Sequence, residues 1–241
     1  MKTSIALVVA LGLAGSAAPA YRVTRTVGDH AFLFEFRGAA TAAFTPPADN
    51  VLSSWQKLPF AWKFFGQAVD GYFISDNGYI TFDRTAKTSV AASAALTDAS
   101  APRNSIFAFW TDMRMEADHG QWVGHVYTAT LGAAPNRIHA IYWMGPVPHA
   151  DTFDISSYNF LLAIYENGDF ESIFASGRKA TPVKAVVGAL SADGKTAITA
   201  EGPGFDYPAV GYGGDDDVAY KFAPIETVLR SAGLQSRATK K

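Results

Sequence analysis

The stretch that decides the fold is Leu58 to Asp83, LPFAWKFFGQAVDGYFISDNGYITFD. Phe60, Trp62 and Phe64 alternate with other residues in a period of two, which is typical of a half-buried strand. The chain breaks at Gly66, resumes an extended pattern from Tyr72, and turns again at Asp76-Asn77-Gly78. Because Asn-Gly tolerates positive φ, this last turn predicts a two-residue hairpin.

Similar runs follow along the rest of the chain. SIFAFW at Ser105 to Trp110 lacks alternation and predicts a strand buried on both faces. Asn167-Gly168 and Ala192 to Lys195 mark two more hairpin turns. With no helices of βαβ size between strands, the sequence predicts an all-β fold, an antiparallel, jelly-roll-like β-sandwich.

Composition and the N-terminus indicate export. The 241 residues are 49% hydrophobic, enough for a substantial core. Lys2, an apolar run from Ile5 and Ala18-Pro19-Ala20 have the layout of a secretory signal peptide, so we expect residues 1–20 to be removed and the mature chain to begin at Tyr21. We expect one sandwich domain over 21–223, then a short helix from Pro224 and a frayed tail to residue 241.

Charge and cysteine content exclude several classes. The formal net charge is −2, or −3 once Lys2 leaves with the leader, so no basic field attracts nucleic acid or anionic lipid. The chain has no cysteine, which excludes thiol nucleophiles and favours a bacterial exported protein over a small animal ectodomain. We expect a secreted protein that does not insert into the membrane after cleavage.

Three blocks in order carry a family resemblance. The Leu58 to Asp83 stretch resembles the segment of nidogen-like and plexin-repeat-like extracellular domains that runs from an "LPF.F.FYG" strand to an "S.NGY..F" strand. NSIFAFWTDM at Asn104 to Met113 and YNFLLAIYENGDFESIFAS at Tyr158 to Ser176 are similar to the two blocks that follow. Ala108 replaces the family's usual Pro, so the strand is expected to continue there. The resemblance implies a non-catalytic extracellular β-sandwich used in matrix, adhesion or surface proteins.

Binding is therefore the leading functional hypothesis, with an extracellular protein or glycan as partner. Aromatic rings near predicted loops and strand ends are the ligand-binding candidates, since a flat ring offers contact area at little entropic cost. These are Trp55, Trp122, Tyr207 and Tyr212, whereas Trp62, Trp110 and Trp143 are expected in the core. The loops Ala86 to Asn104 and Met113 to Gln121 are the expected recognition surface.

Calcium is a candidate cofactor, because hard cations need several oxygen ligands. Asp215, Asp216 and Asp217 form the densest acidic cluster, and Asp70, Asp76 and Asn77 are further candidates. Solvated acidic turns are the alternative explanation.

Two other functions stay open. A secreted hydrolase would use Asp112, Glu116 and His119 at a loop-built site, because carboxyl groups at a fixed separation can act as acid and base. A structural subunit would assemble by strand exchange, with Val23 to Arg37 as the donated strand.

Overall fold

The computed structural model of the chain describes residues 5–7, 21–28, 41–44, 46–91, 95–116, 124–149, 157–174, 183–208 and 217–225. Across these residues the fold consists of the strands β1 (Ile5–Leu7), β2 (Tyr21–Val27), β3 (Thr41–Ala42), β4 (Ala48–Asp49), β5 (Gln56–Phe64), β6 (Gln67–Ile74), β7 (Tyr79–Thr81), β8 (Ser105–Trp110), β9 (Met113–Met115), β10 (His125–Leu131), β11 (Ile138–Met144), β12 (Val147–Pro148), β13 (Asn159–Tyr165), β14 (Phe170–Phe174), β15 (Ala185–Leu190), β16 (Ala197–Phe205) and β17 (Val218–Pro224).

The strands form two large antiparallel sheets and one small one. The eight-stranded sheet has the order β1-β2-β17-β14-β13-β11-β10-β3, and the six-stranded sheet has the order β16-β15-β8-β7-β6-β5. A three-stranded sheet has the order β12-β9-β4. The sheets are not closed into a barrel, and the predicted all-β antiparallel sandwich is confirmed. Among the described residues, no helix has the length and apolar character needed to cross a bilayer.

Aromatic side chains fill the space between the two large sheets. Trp62 and Phe64 of β5 reach Phe170 of β14, with ring centroids 6.3 and 6.4 Å apart. Farther along, Phe109 of β8 packs on Phe160 of β13 at 5.4 Å. Truncating one such buried ring to Ala typically costs about 3 to 5 kcal/mol, so these contacts dominate the adhesion of the sheets.

Two indole groups add hydrogen bonds across the sandwich. Trp62 Nε1 donates to the carbonyl of Tyr165 at 3.1 Å, and Trp143 Nε1 donates to the carbonyl of Ser75 at 2.8 Å. A buried indole N–H without a partner would be costly, and here each one ties one sheet to the other. The predicted core positions of Trp62, Trp110 and Trp143 are confirmed, with exposed fractions of 4%, 0% and 0%.

The stretch Leu58 to Asp83 forms three strands as predicted, but the second of its two turns differs from the prediction. The β5–β6 turn has positive φ at both Phe65 (46°) and Gly66 (78°), the backbone of a two-residue hairpin. At the next turn only Gly78 has positive φ (77°), and the Ser75 amide donates to the Tyr79 carbonyl at 2.9 Å. The predicted two-residue Asn-Gly turn is therefore wrong: three residues lie within this loop.

Strand β8 is buried at every position, as its sequence predicts. Its second face is covered by Val90, Leu96 and Ala101, of which Leu96 and Ala101 are buried beside Trp110. The Trp110 indole donates to the Val90 carbonyl at 2.9 Å. Residues of the loop Ala86 to Asn104, which was expected to form a recognition surface, therefore also cover one face of this sheet. The strand continues through Ala108, with a register shift in its pairing to β15.

The two ends of the domain bear on the predicted exchange strand and on the predicted C-terminal helix. Strand β2 pairs with β17 along Tyr21–Val27, and its other edge pairs with β1, which lies within the predicted signal peptide, so cleavage before Tyr21 would make β2 an edge strand. The Val23 to Val27 part of the proposed exchange strand is thus integrated in the chain's own sheet, while residues 31–37 lie outside the described residues. Pro224 ends β17, paired with Tyr21, so the predicted helix does not begin there. Residues 226–241 lie outside the described part.

Candidate functional site

An aromatic and charged cluster lies on the outer face of the six-stranded sheet; we call it the Trp55 patch. It consists of Trp55, Asp70, Gly71, Phe73 and Arg84. The rings of Trp55 and Phe73 meet edge to face with centroids 4.9 Å apart. Arg84 Cζ lies 4.2 Å from the centroid of a Trp55 ring, and Arg84 Nη2 donates to Asp70 Oδ2 at 2.6 Å.

The sequence places these groups on the surface through strand alternation. Tyr72 and Ile74 of β6 point into the core and are fully buried, so Phe73 between them points outward. Trp55 directly precedes β5, and Trp55 and Phe73 are both partly exposed. The side chains of Arg84 and Asp70 are 60% and 70% exposed.

Gly71 makes room for the tryptophan. A Cβ at this position would lie 2.5 Å from Trp55 Nε1 and 2.3 Å from the carbonyl oxygen of Gln56. Any larger residue would therefore displace Trp55 from the sheet or break the pairing of β6 with β5. The glycine fixes the place of the ring, which is what a pre-formed contact surface requires.

The chemistry of the Trp55 patch suits recognition. Partly exposed aromatic rings offer apolar area, and an arginine–aspartate pair at their border supplies hydrogen-bond donors and acceptors. Tryptophan and arginine are enriched among residues that carry most of the energy of a binding interface.

A second polar cluster lies at the buried turn Ser75 to Gly78. Asn77 Oδ1 accepts the amide of Met113 at 2.7 Å, and Asn77 Nδ2 donates to Asn50 Oδ1 and to Ser89 Oγ, both at 2.9 Å. Asp76 and Asn77 are completely buried, which is unusual for a hairpin turn. The turn therefore connects the six-stranded sheet to the segments around β4 and β9.

Burial changes the acidity of Asp76. Loss of solvation raises the pKa of this carboxyl from 3.8 to about 6, and the negative charge of Asp49 adds to the rise. The nearby Ser89 hydroxyl and the amides of Val51 and Asn50 oppose the rise without cancelling it. Asp76 Oδ1 accepts the Val51 amide at 3.2 Å, while Oδ2 has no hydrogen-bond partner among the described residues.

A third polar group crosses the core. Tyr72 Oη of β6 lies 2.5 Å from His139 Nε2 of β11, and Thr130 Oγ1 lies 2.9 Å from His139 Nδ1. Loss of solvation lowers the pKa of His139 from 6.5 to about 4, although a hydrogen bond with Ala129 acts in the opposite sense. The imidazole is therefore neutral at physiological pH, and both of its nitrogens have partners.

The structure separates the four aromatic candidates. Trp55 lies in the patch described above. Tyr207 is only 3% exposed, and its hydroxyl donates to the Asn159 carbonyl at 2.5 Å. This placement corrects the expectation of a surface role, because its ring packs against Phe109 and Phe174 in the core. Trp122 and Tyr212 lie outside the described residues.

The acidic candidates for calcium are only partly described. Asp215 and Asp216 lie outside the described residues, and Asp217 is 3% exposed with its carbonyl accepting the Gly28 amide at 3.0 Å. Of the further candidates, Asp70 pairs with Arg84, and Asp76 and Asn77 lie in the buried turn. Within the described part of the chain, no three histidine or acidic side chains gather into a metal-ligand set.

The residues of the alternative hydrolase site do not form an acid–base pair in the described part. Glu116 forms an ion pair with Arg114, which also donates to the carbonyls of Pro148 and His149. Asp112 is partly buried, with its carbonyl accepting the His149 amide at 3.0 Å. His119 lies outside the described residues.

Sequence reasoning missed the partners of the sites it proposed. The aromatic pattern of Leu58 to Asp83 predicts Phe73 in the core, and this prediction is wrong, because Phe73 stands between the core positions Tyr72 and Ile74 and faces outward. Arg84 was not a candidate. Asn50 and Ser89 gave no local signal, since their contacts with Asn77 span 27 and 12 residues of sequence.

The strands and their antiparallel sheets define an all-β sandwich domain. The chain belongs to the family described as NIDO related, whose family model matches residues 20–203. This membership confirms the nidogen-like resemblance. Domains of this type are typically extracellular and generally non-enzymatic. No curated protein and no solved structure matched the chain in the comparisons.

Proposed function

We propose that the chain is a secreted, non-catalytic binding module that recognises a protein or glycan at a cell surface or in an extracellular matrix. The observation that supports this most is the Trp55 patch, a partly exposed pair of aromatic rings bordered by an exposed arginine–aspartate pair. Family membership supports the extracellular setting.

The patch would bind through its rings and its ion pair together. The Trp55 and Phe73 rings supply apolar contact for the face of a sugar or for an apolar side chain. Arg84 and Asp70 would exchange their mutual hydrogen bond for bonds to ligand hydroxyl, amide or carboxylate groups. Because the exposed ion pair itself contributes little to stability, breaking it on binding costs little.

The test compares binding by the secreted chain and two variants on a glycan array and in pull-downs from extracellular-matrix extract. Trp55→Ala is expected to weaken binding by about 30-fold or more, as truncation of a central interface residue does. Tyr127→Ala is the matched control, since Tyr127 is a partly buried aromatic residue on the eight-stranded sheet. Unchanged binding by Trp55→Ala, or an equal loss with Tyr127→Ala, contradicts the assignment of the patch.

A further inference from the structure

Removal of the leader would leave one long, regular strand at the edge of the eight-stranded sheet. Strand β2 (Tyr21–Val27) pairs with β17 on one side and with β1 (Ile5–Leu7) on the other. Because β1 lies within the predicted signal peptide, cleavage takes it away from the domain. The main-chain groups of β2 that bond to β1 then lose these partners, and such an edge is a template for the addition of another strand.

The ladder with β17 shows which groups of β2 face this edge. The Gly28 amide donates to the Asp217 carbonyl at 3.0 Å, in the register that pairs β2 with β17. Hydrogen-bonded positions alternate along an antiparallel strand, so the even-numbered residues of β2 bond to β17. The odd-numbered residues direct their main-chain groups towards the edge, and these are Tyr21, Val23, Arg25 and Val27.

The other long edge strands carry features that block strand addition. Strand β5 contains Pro59 and a register shift in its pairing with β6. Strand β16 contains Gly202-Pro203-Gly204 and has register shifts in its pairing with β15. Prolines, bulges and irregular pairing are the usual means by which proteins protect an edge. Strand β2 has no proline and pairs with β17 without a register shift, so its edge is the regular one.

The β2 edge is positively charged. The strand sequence YRVTRTV contains two cationic residues, Arg22 and Arg25, and no acidic residue, and both arginines are exposed. Cleavage would add the α-amino group of Tyr21, which gives three positive charges on this strand. Arg25 hydrogen-bonds with the hydroxyl of Tyr220, which donates to Glu201 at 2.6 Å, so part of its charge is balanced within the domain.

This charge decides which kind of strand fits the edge. Pairing β2 with β2 of a second copy would bring the three positive charges of each copy onto one ladder, and like charges on facing strands are destabilising. An acidic segment would instead place carboxylates beside the two arginines. The pairing with β1 shows what fits between them, since Ala6 lies opposite Thr24. In the same register, Leu7 lies opposite Val23.

We propose that β2 of the mature chain binds an extended, acidic segment of a partner protein as an added antiparallel strand. The segment carries carboxylate side chains opposite Arg25 and Arg22, with a small and an apolar residue between them, as in the order Glu-Ala-Leu-Glu. Main-chain hydrogen bonds to the edge supply affinity, and the side-chain pattern supplies selectivity. This surface lies on the eight-stranded sheet, so the proposal does not depend on the Trp55 patch of the other large sheet.

Binding of synthetic peptides to the exported chain that begins at Tyr21 tests the proposal. The probe is a fluorescein-labelled peptide, Thr-Val-Glu-Ala-Leu-Glu-Val-Thr, and the control peptide has Lys in place of both Glu residues. We expect the acidic peptide to raise its fluorescence anisotropy on binding, with an affinity that falls as salt is added, and the basic peptide not to bind. Equal binding of both peptides, or no binding of the acidic one, overturns the proposal.

Two substitutions at one position separate the backbone from the side chain. Arg25→Pro removes an amide that faces the edge and none that bonds to β17, so it should weaken peptide binding by about tenfold or more without unfolding the domain. Arg25→Gln keeps the amide and should weaken binding by about fivefold at most. Equal affinities of the two variants would mean that no strand is added.

If Arg25→Pro does not fold, Arg22→Gln and Lys63→Gln provide the test. Each removes one exposed positive charge, but Lys63 lies on β5 of the other large sheet. Only Arg22→Gln should weaken binding, by about two- to fivefold, and equal effects contradict the assignment of the edge. A chain that retains residues 1–20 should not bind the peptide, because β1 occupies the edge. A dimer of the exported chain that Arg25→Pro dissociates, or an exported chain that keeps its leader, overturns the proposal.

Discussion

Acidification should distinguish two buried groups whose pKa values are shifted in opposite directions, Asp76 and His139, and the variant Asp76→Asn separates their contributions. The two groups act in opposite directions. His139 has a folded-state pKa of about 4, below its unfolded value of 6.5, so the unfolded chain takes up its proton first and stability falls as the pH drops through this window. Asp76 has a folded-state pKa of about 6, above its unfolded value of 3.8, so the folded chain takes up its proton first and stability rises as the pH drops from 6 towards 4.

The magnitudes follow from the size of each shift. One pKa unit corresponds to about 1.4 kcal/mol. Integrated from pH 7 to pH 4, His139 removes about 3 kcal/mol of the free energy of unfolding, and Asp76 returns about 2.4 kcal/mol. The wild type should therefore change by less than about 1 kcal/mol through these two groups. Asp76→Asn keeps only the histidine contribution and should lose about 3 kcal/mol over the same range.

The assay is urea unfolding followed by tryptophan fluorescence at pH 7, 6, 5 and 4, with EGTA present so that no calcium binds. Carboxylates that do not interact with Asp76 titrate equally in both proteins, so the difference between the two proteins reports Asp76 together with its coupling to Asp49. At pH 7 the variant should be more stable by about 3 kcal/mol, and the two should converge near pH 4. Parallel curves from pH 7 to pH 4 would refute the reasoning, because they would mean that Asp76 ionises normally in the fold.

Three further predictions concern the fold and the leader. Tyr72→Phe leaves a nitrogen of His139 without its partner in the core, so the free energy of unfolding should fall by about 1 to 3 kcal/mol in urea titrations. An unchanged midpoint would contradict this. Gly78→Ala should prevent folding or reduce the Tm strongly, because the residue has φ 77° and the new Cβ would lie 2.1 Å from a backbone carbonyl oxygen. Gly202→Ala is the control, with nothing within 4 Å of its Cβ, and should change stability by no more than about 0.5 kcal/mol. Mass spectrometry of the exported chain should find Tyr21 as the first residue; an N-terminus that retains residues 1–20 would contradict the predicted cleavage.

Much of the fold was predictable because the relevant signals are local. The alternation of Phe60, Trp62 and Phe64 and the unbroken apolar run of β8 reflect which faces of a strand are buried. Turn signals at Gly66 and Gly168 reflect the backbone freedom of glycine, and both residues have positive φ in the structure. Such features require no knowledge of distant contacts.

The candidate sites were less predictable because they depend on distant contacts. Trp55 could be proposed as an exposed ring, but its contact with Arg84 joins positions 29 apart in sequence. Tyr207 carries the same local signal as an exposed ring, yet it lies in the core and hydrogen-bonds to Asn159. A turn sequence such as Asp76-Asn77-Gly78 is normally solvated, and nothing local indicates that it will be covered.

The sequence alone therefore determined the class of fold, the core tryptophans and the family, since periodicity, turn residues and the order of the sequence blocks can be read without knowledge of tertiary contacts. Only the tertiary structure decided which polar groups are withdrawn from water. Burial, and with it the raised pKa of Asp76 and the lowered pKa of His139, arises from the whole surroundings of a side chain. Those surroundings come from strands that are remote in sequence, and they bury a hairpin turn that would otherwise be solvated.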